Sequence, residues 1–485
     1  MSAERRIRHP VLWVPTAYLA EGIPFAMVTW AAATMFKDLG HSDGEITVPI
    51  SMVGIAWSLK PLWAAFLDRY RTKKFFVLAM ELLMAVMFGL MALSLGLPSY
   101  FAVILVLLWP IAFSSATQDI CIDGVYITSL DKKGQATWIG LQGVFWTVGR
   151  IFATSAVVWM AGTLRERGYV PRVAWTYAIS LSAVVMAALA LYHYFILPTG
   201  SITRASGSEV QDVPTSSTTR LSVALGAGTA LGAVIAYNSG LTIGLVIGVG
   251  TATALLVGWR EHVPAFLAFI RKKSLWGMML FIFLYRTGEG FLLIEAPLFM
   301  QAPVASGGLG LTLSQKALID GTISTSVSLV AGLLGGAFAS RYGLKRALLP
   351  LAFFMNVPHV CYVYLSHAAA QHAVSLTTIQ ILVSIEKFGY SFGFVGNMLY
   401  MMQQIAPGKY KMTHYAYATA LMNLVLVPTQ AASGKLADWM GYQSFFIFVL
   451  VASIPSIIAA WRAPFPVETE GEDEAAAGAA AAGSG

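Results

Sequence analysis

Six ionisable residues stand deep inside long apolar runs of this 485-residue chain: Glu21, Asp119, Arg150, Arg286, Glu289 and Glu386. At 1.5 Å of helical rise per residue they lie about 16–24 Å from the nearest charged turn. That is the middle of a hydrocarbon core about 30 Å thick. An ionisable side chain there costs about 2.5–3.5 kcal/mol on insertion scales, so such groups face a cavity and find partners. Carboxyls at that depth can take up and release a proton, and arginines can hold an anion in a two-pronged contact.

Each group admits a functional and a structural reading. Glu21-Gly22-Ile23-Pro24 joins an acid to helix-breaking residues, either a local unwinding beside a cavity or an ion pair with Arg150 or Arg286. Gln118 adjoins Asp119, and Asp119 and Asp123 are i,i+4 on one face. Those two acids can share a proton or each meet a cation. Arg150 follows Gly140, Gly143 and Gly149, which permit close helix packing; it binds a substrate anion or a structural carboxylate. Arg286 and Glu289, i,i+3 within Tyr285-Arg286-Thr287-Gly288-Glu289-Gly290, can instead pair with each other. Glu386 and Lys387 point about 100° apart on a helix and are expected to need different partners. Lys60 and Glu81 sit nearer a membrane face and are expected to snorkel. Trp30, Trp57, Trp146 and Tyr390 offer rings for stacking. His193, His359 and His414 show no metal-ligand spacing, and Cys121 and Cys361 lie far apart in apolar segments. No metal, cofactor or disulfide is expected.

The elements that must hold these residues are membrane helices. The chain is 57% hydrophobic and 11% charged, with a mean hydropathy of +0.68, against roughly 25% charge in soluble proteins. Apolar runs predict spans near 11–35, 46–67, 75–96, 100–128, 136–161 and 173–197. A Ser/Thr-rich linker follows, then an uncharged run over 221–259 that is long enough for two short spans around Tyr237-Asn238-Ser239-Gly240. A second set is expected near 275–299, 314–339, 345–366, 374–404, 411–433 and 443–461. The expected fold is therefore an all-α polytopic membrane protein of fourteen spans, in four parts: 1–198, 199–274, 275–463 and an acidic, Ala/Gly-rich tail, 464–485. The basic start is read as leading into a retained span and not as a cleaved signal. With both termini cytoplasmic, inner segments hold 21 Lys and Arg and outer ones 6, as positive-inside orientation requires. The net charge of +7 is scattered over short turns, which argues against nucleic acid as a partner.

The two six-span sets repeat. Asp68-Arg69-Tyr70-Arg71-Thr72-Lys73-Lys74 matches Ser340-Arg341-Tyr342-Gly343-Leu344-Lys345-Arg346, 272 residues on. Gly162-Thr163-Leu164 matches Gly434-Lys435-Leu436 at the same offset, and the basic turn at 131–133 corresponds to that at 407–411. Repeated halves belong to transporters that rock one half against the other. The Asp68 turn has the position and chemistry of the cytoplasmic loop motif of the major facilitator superfamily, with Ala64 four before the acid and Arg71 replacing the usual Gly. Asp68, Arg69, Asp123 and Arg341 form a candidate gate; the alternative is that these charges only set topology and stay solvated.

Several segments resemble AmpG-type permeases of that superfamily. They are Lys60-x-Leu62-Trp63 before Asp68-Arg69-Tyr70, Ser114-Ser115-Ala116-Thr117-Gln118-Asp119-Ile120-x-x-Asp123, Leu284-Tyr285-Arg286-x-Gly288-Glu289, and Glu386 with Gly393. The likeness covers both halves. It implies proton-coupled passage of a bulky anionic or amphiphilic solute: a muropeptide, a siderophore or an acyl-CoA. Glu21 departs from a position that is small and polar in the muropeptide permeases.

The combined reading is an alternating-access importer in the cytoplasmic membrane, a monomer with protons, lipid and a small anionic solute as partners. Glu21, Asp119, Glu289 and Glu386 are its candidate proton carriers. Gln118, Arg150, Arg286, Trp30, Trp57, Trp146 and Tyr390 are its candidate substrate contacts. A membrane-embedded transferase would need a nucleophile–base or metal constellation near one face, whereas here the charges gather at mid-depth.

Overall fold

The structure, a computed structural model, describes residues 9–60, 62, 63, 67, 72–130, 132–199, 217–239, 241–407 and 411–466. The gate residues Asp68 and Arg69, together with Arg71, Asp131, segment 200–216, Lys409 and the tail from 467, lie outside the described residues.

Apolar segments in lipid must satisfy their backbone N–H and C=O groups internally, and here they do so as helices. The first set is α1 (Pro10–Asp38), α2 (Asp43–Val53), α3 (Lys73–Ser94), α4 (Tyr100–Ser129), α5 (Lys132–Ile151, running on to Glu166) and α6 (Pro171–Ile196). The central pair is α7 (Ser217–Ser239) and α8 (Leu241–Ile270). The last set is α9 (Leu275–Gln301), α10 (Leu313–Tyr342), α11 (Leu344–Gln371), α12 (Leu376–Tyr400), α13 (Lys411–Ala452) and α14 (Ile454–Arg462).

Among the described residues, nine stretches are long and apolar enough to cross a membrane. One of them, Thr413–Arg462, spans 50 residues and contains two limbs, because the chain turns at Gly441 with φ 75° and ψ 157°. These described stretches are fewer than the fourteen expected spans. The helix after Asp43 runs into undescribed residues, α12 mixes Glu386 and Lys387 into its apolar run, and the described apolar part of α8 is only Gly244–Thr253. The outer surface is apolar: Leu93, Val184, Val451 and Trp439 are all exposed, as suits a face that meets lipid.

Packing follows the repeat. In the first set α1 lies along α5, and α3 packs on α4 and α6; in the last, α10 and α11 pack on α12, and α9 along α13. The α1–α5 approach requires glycine: a Cβ on Gly149 would sit 3.0 Å from Ile23 N and 3.1 Å from Gly22 Cα. Glycines also lock α7 to α8, where a Cβ on Gly248 would stand 2.7 Å from Gly228 O and 3.2 Å from Gly232 Cα. Such small-residue faces let backbones meet closely in lipid. The α7–α8 pair touches α2 through α7 and α13 through α8, so it bridges the two sets on one side.

Candidate functional site

A cavity of about 700 Å³ opens between the two sets. Its wall carries the cations Arg150, Arg286 and Lys387, the acid Asp320, and the rings of Phe25, Trp30, Trp146, Tyr390 and Phe394. Lys387 and Asp320 were not among the expected contacts, although each is an ionisable residue inside an apolar run and so carried the same signal as its neighbours.

Arg150 is the exceptional cation of this wall. Its Nη2 donates to Thr325 Oγ1 of α10 at 3.0 Å, and its guanidinium lies 5.4 Å from the centre of the Trp30 ring. No carboxylate among the described residues pairs with it. A guanidinium kept in a cavity without a protein anion is a place for a ligand anion.

The other two cations are already neutralised. Arg286 Nε donates to Glu289 Oε2 at 2.5 Å and Nη2 donates to Glu289 Oε1, a bidentate pair within one helix, and the guanidinium lies 4.7 Å from the Phe394 ring centre. The internal alternative is thus the arrangement found. Lys387 Nζ lies 3.2 Å from Glu386 Oε2, and the Tyr362 hydroxyl donates to the same oxygen at 3.4 Å. The expectation that Glu386 and Lys387 need different partners is corrected: both chains are long enough to bend together over the angle between them.

A second polar cluster lies within the first set. Lys60, beyond the end of α2, pairs with Asp119 of α4, and the Glu21 carboxyl from α1 stands beside that of Asp119. Asp123, one turn on, accepts from Tyr18 Oη at 2.8 Å. Lys60 therefore does not snorkel, because Asp119 gives it a nearer partner. Glu21 meets neither arginine. It is 9% exposed, while the Asp119 and Lys60 side chains keep 21% and 26%, so solvent reaches the pair. Counting helix rise from Pro10 and Ser129, the cluster lies roughly 15–17 Å from the ends that carry the termini.

Other expected contacts fall elsewhere. Gln118 is fully buried away from the cavity, where its Nε2 donates to Glu81 Oε1 at 2.9 Å. Glu81 does not snorkel; the same oxygen meets His193 Nδ1 at 2.7 Å, and His193 Nε2 meets Thr16 Oγ1 at 3.0 Å. Trp57 is buried edge-on against Phe25, 4.9 Å between centres, and supports the cavity wall from behind. Arg341 is exposed, with its guanidinium 5.6 Å from its neighbour's Tyr342 ring.

The cavity is shut at the end away from the termini. There Gln301 Nε2 donates to Thr34 O at 3.1 Å, Lys316 Nζ to Thr34 Oγ1 at 2.5 Å, and Gly44 N to Asp438 Oδ2 at 2.8 Å. α5 and α10 each contain a π-helical turn, Phe152–Val157 and Ala317–Ile323, and the two turns meet. A π-turn frees a carbonyl from the regular ladder, and Ser155 Oγ donates to Ala317 O at 3.0 Å across the joint. Nothing in the apolar pattern announced these turns, although small polar residues (Thr154, Ser155, Thr322) mark both. Thr154 and Asp320 of the turns themselves reach the cavity, and its other residues on these helices lie on one side of the joint, from Gly143 to Arg150 on α5 and from Ser324 to Leu333 on α10. The cavity therefore extends toward the end that carries the termini.

Comparison with known proteins agrees with this architecture. The family profile of the Major Facilitator Superfamily matches residues 16–427. Among curated relatives, "Putative transporter AmpG 4" of Rickettsia conorii is 19% identical over 454 residues, covering 90% of this chain and 92% of its own. The anhydromuropeptide permease of Escherichia coli K12 is 21% identical over 449 residues, covering 90% and 76%. Among solved structures, the nucleoside transporter NupG superposes with a TM-score of 0.62 at 14% identity, over 92% of this chain and 97% of that one. A bacterial homologue of the human lysosomal transporter Spinster, inward-facing and unoccupied, gives 0.63 at 13%, over 95% and 98%. At such identities the structures speak for the fold alone. With the profile spanning most of the sequence and helices long and apolar enough for repeated crossing, the chain belongs to the Major Facilitator Superfamily, as a multi-pass secondary transporter and not an enzyme.

Proposed function

We propose that this protein imports a bulky anionic solute together with protons, by alternating access, and that the solute is a cell-wall muropeptide. The observation that carries the reading is Arg150: a cation that no carboxylate among the described residues pairs with, flanked by Trp30, Trp146 and Tyr390 in one cavity. Peptide carboxylates suit the guanidinium, and sugar rings suit flat aromatic walls. The similarity to the anhydromuropeptide permease supports the same class.

Protons enter through Glu21 and Asp119. A hydrogen bond between two carboxyls requires one proton between them, and Lys60 balances only one negative charge. Gly22, next to Glu21, packs on the α5 backbone at Trp146 and Arg150. A change of protonation at Glu21 therefore acts on the helix that presents Arg150. Glu289 and Glu386, already held by Arg286 and Lys387, serve to keep those cations in the wall.

With the termini cytoplasmic, in the inner membrane, the open end faces the cytoplasm and the arrangement is the inward-open one. Residues 1–198 and 275–463 then act as the two rocking bodies of a monomer, with 199–274 as their tether. Arg341 exposed beside Tyr342 fits a cytoplasmic latch that is undone in this state; Asp68, Arg69 and Asp123 would complete it when the cavity faces outward.

Purified protein in proteoliposomes tests the reading. Labelled anhydromuropeptide should accumulate under an imposed inward proton gradient and collapse with a protonophore. Accumulation of a siderophore or an acyl-CoA in its place would move the substrate within the family; no gradient-dependent uptake of any of the three would sink the coupling.

A further inference from the structure

We infer that the end away from the termini carries a second proton site, shared between the two sets: the carboxyls of Asp43 and Glu295, which bind one proton when that end closes. Glu295 of α9 is completely buried, at 0% exposure, and Asp43, the first residue of α2, is at 2%. Among the described residues no amide, hydroxyl or cation donates to either oxygen of Glu295. Its carboxyl stands beside that of Asp43, on the helix α2 that packs against α9. Asp43 has two donors of its own, Lys37 Nζ and, at 2.5 Å, the Tyr442 hydroxyl. One cation thus serves two acids, and two carboxyls in contact need a proton between them.

Among the described residues no second cation pairs with either acid, although the exposed Lys435 of α13 lays its side chain against Gly44, next to Asp43. From α1 comes Lys37, already on Asp43. From α13 come Tyr442 and Asp438, and Asp438 accepts the Gly44 N–H at 2.8 Å. His41, in the turn before α2, and Glu45 of α2 face each other at 3.6 Å. α10 offers Lys316, turned to Thr34 and lying 4.0 Å from its own Asp320. α14 carries Arg462 only at the opposite end.

The closure that buries Glu295 brings α2 and α1 of one set onto α9 and α13 of the other. When the sets part at this end, Glu295 meets water and loses its need for a proton. Closing takes that proton from the solution on the far side, and opening returns it to the same side. The site therefore biases the molecule by the acidity of the far solution. It is separate from Glu21 and Asp119, which lie within one set toward the other end.

Spin labels read the bias without any substrate. Arg167→Cys and Ala305→Cys place labels on exposed loops of the two sets at this end, while the native Cys121 and Cys361 are buried. The full chain in nanodiscs should show its closed, short-distance population rise as pH falls, by at most about tenfold per unit for one proton. Glu295→Gln, neutral and of the same shape, should hold the short distance at every pH from 5 to 9. Asp43→Asn, which leaves Lys37 to Glu295, should do the same, so a fold defect in one variant leaves the other to decide. Wild-type distances that ignore pH, or both variants keeping the wild-type dependence, would overturn the proposal. If Glu21→Gln abolishes the dependence and Glu295→Gln does not, this site falls and the coupling assigned to Glu21 stands.

Discussion

Arg150 of α5 reaches across the cleft and donates to the Thr325 hydroxyl of α10 at 3.0 Å, with no carboxylate of the described protein beside it. The guanidinium is held in place by a neutral group, and its charge remains for a ligand.

Replacing it should therefore be felt in binding first. A hydrogen bond to a charged group contributes about 1.5–3 kcal/mol, so Arg150→Gln should raise KM for an anionic solute roughly 10- to 100-fold. Thr325→Val should have a smaller effect in the same direction, because it removes only the positioning bond. Initial uptake rates over a range of solute concentrations check both; an unchanged KM in Arg150→Gln would take the guanidinium out of the binding site.

Glu21→Gln and Asp119→Asn should separate transport from its driving force. Each removes the ability of the carboxyl pair to take up and release a proton, so gradient-driven accumulation should fall at least about tenfold while exchange of labelled for unlabelled solute continues. Wild-type accumulation in both variants would exclude the pair from the proton path.

Glu289 and Arg286 form a buried bidentate pair, and losing one partner of such a pair costs about 3–5 kcal/mol. Glu289→Ala should lower Tm measurably, whereas the joint change Glu289→Leu with Arg286→Leu should restore it and still transport poorly. Glu289→Gln and Glu386→Gln should both reduce gradient-driven uptake through misplaced cations. Full Tm in Glu289→Ala would show that the pair does not hold the wall.

Gly162 and Gly434 each press on the opposite set at the closed end. A Cβ on Gly162 would lie 2.7 Å from Ser314 N, and one on Gly434 would lie 2.5 Å from Thr47 Oγ1. Gly162→Val and Gly434→Val should keep that end from closing. A cysteine at Ser155, buried in the closed joint, should then react with a membrane-impermeant maleimide at least about tenfold faster than in the parent. Equal rates would mean that the joint tolerates the added bulk.

The α7–α8 pair rests on glycine contacts, so Gly248→Leu should drive the two helices apart and lower Tm by several degrees. Uptake per folded molecule should persist, since no described residue of either helix lines the cavity. Loss of uptake without loss of Tm would give the pair a direct part in transport.

The membrane class and the all-helical fold were legible in the order of residues. Insertion in lipid is governed by local apolarity, and helix rise turns residue number into depth. Even a repeat of 272 residues kept its meaning, for Gly162 and Gly434 sit against equivalent helix starts of opposite sets. Depth alone left partners open, because it says nothing about which way a side chain turns or which helix lies beside it. Lys60 and Glu81 looked like snorkelling residues and instead pair with Asp119 and His193; Gln118 looked like a cavity residue and supports Glu81. Asp43 and Glu295, 252 residues apart, showed no common pattern at all. Their proximity exists only where α2 closes on α9, so it came to light in three dimensions: two acids brought together by distant helices have no local signature.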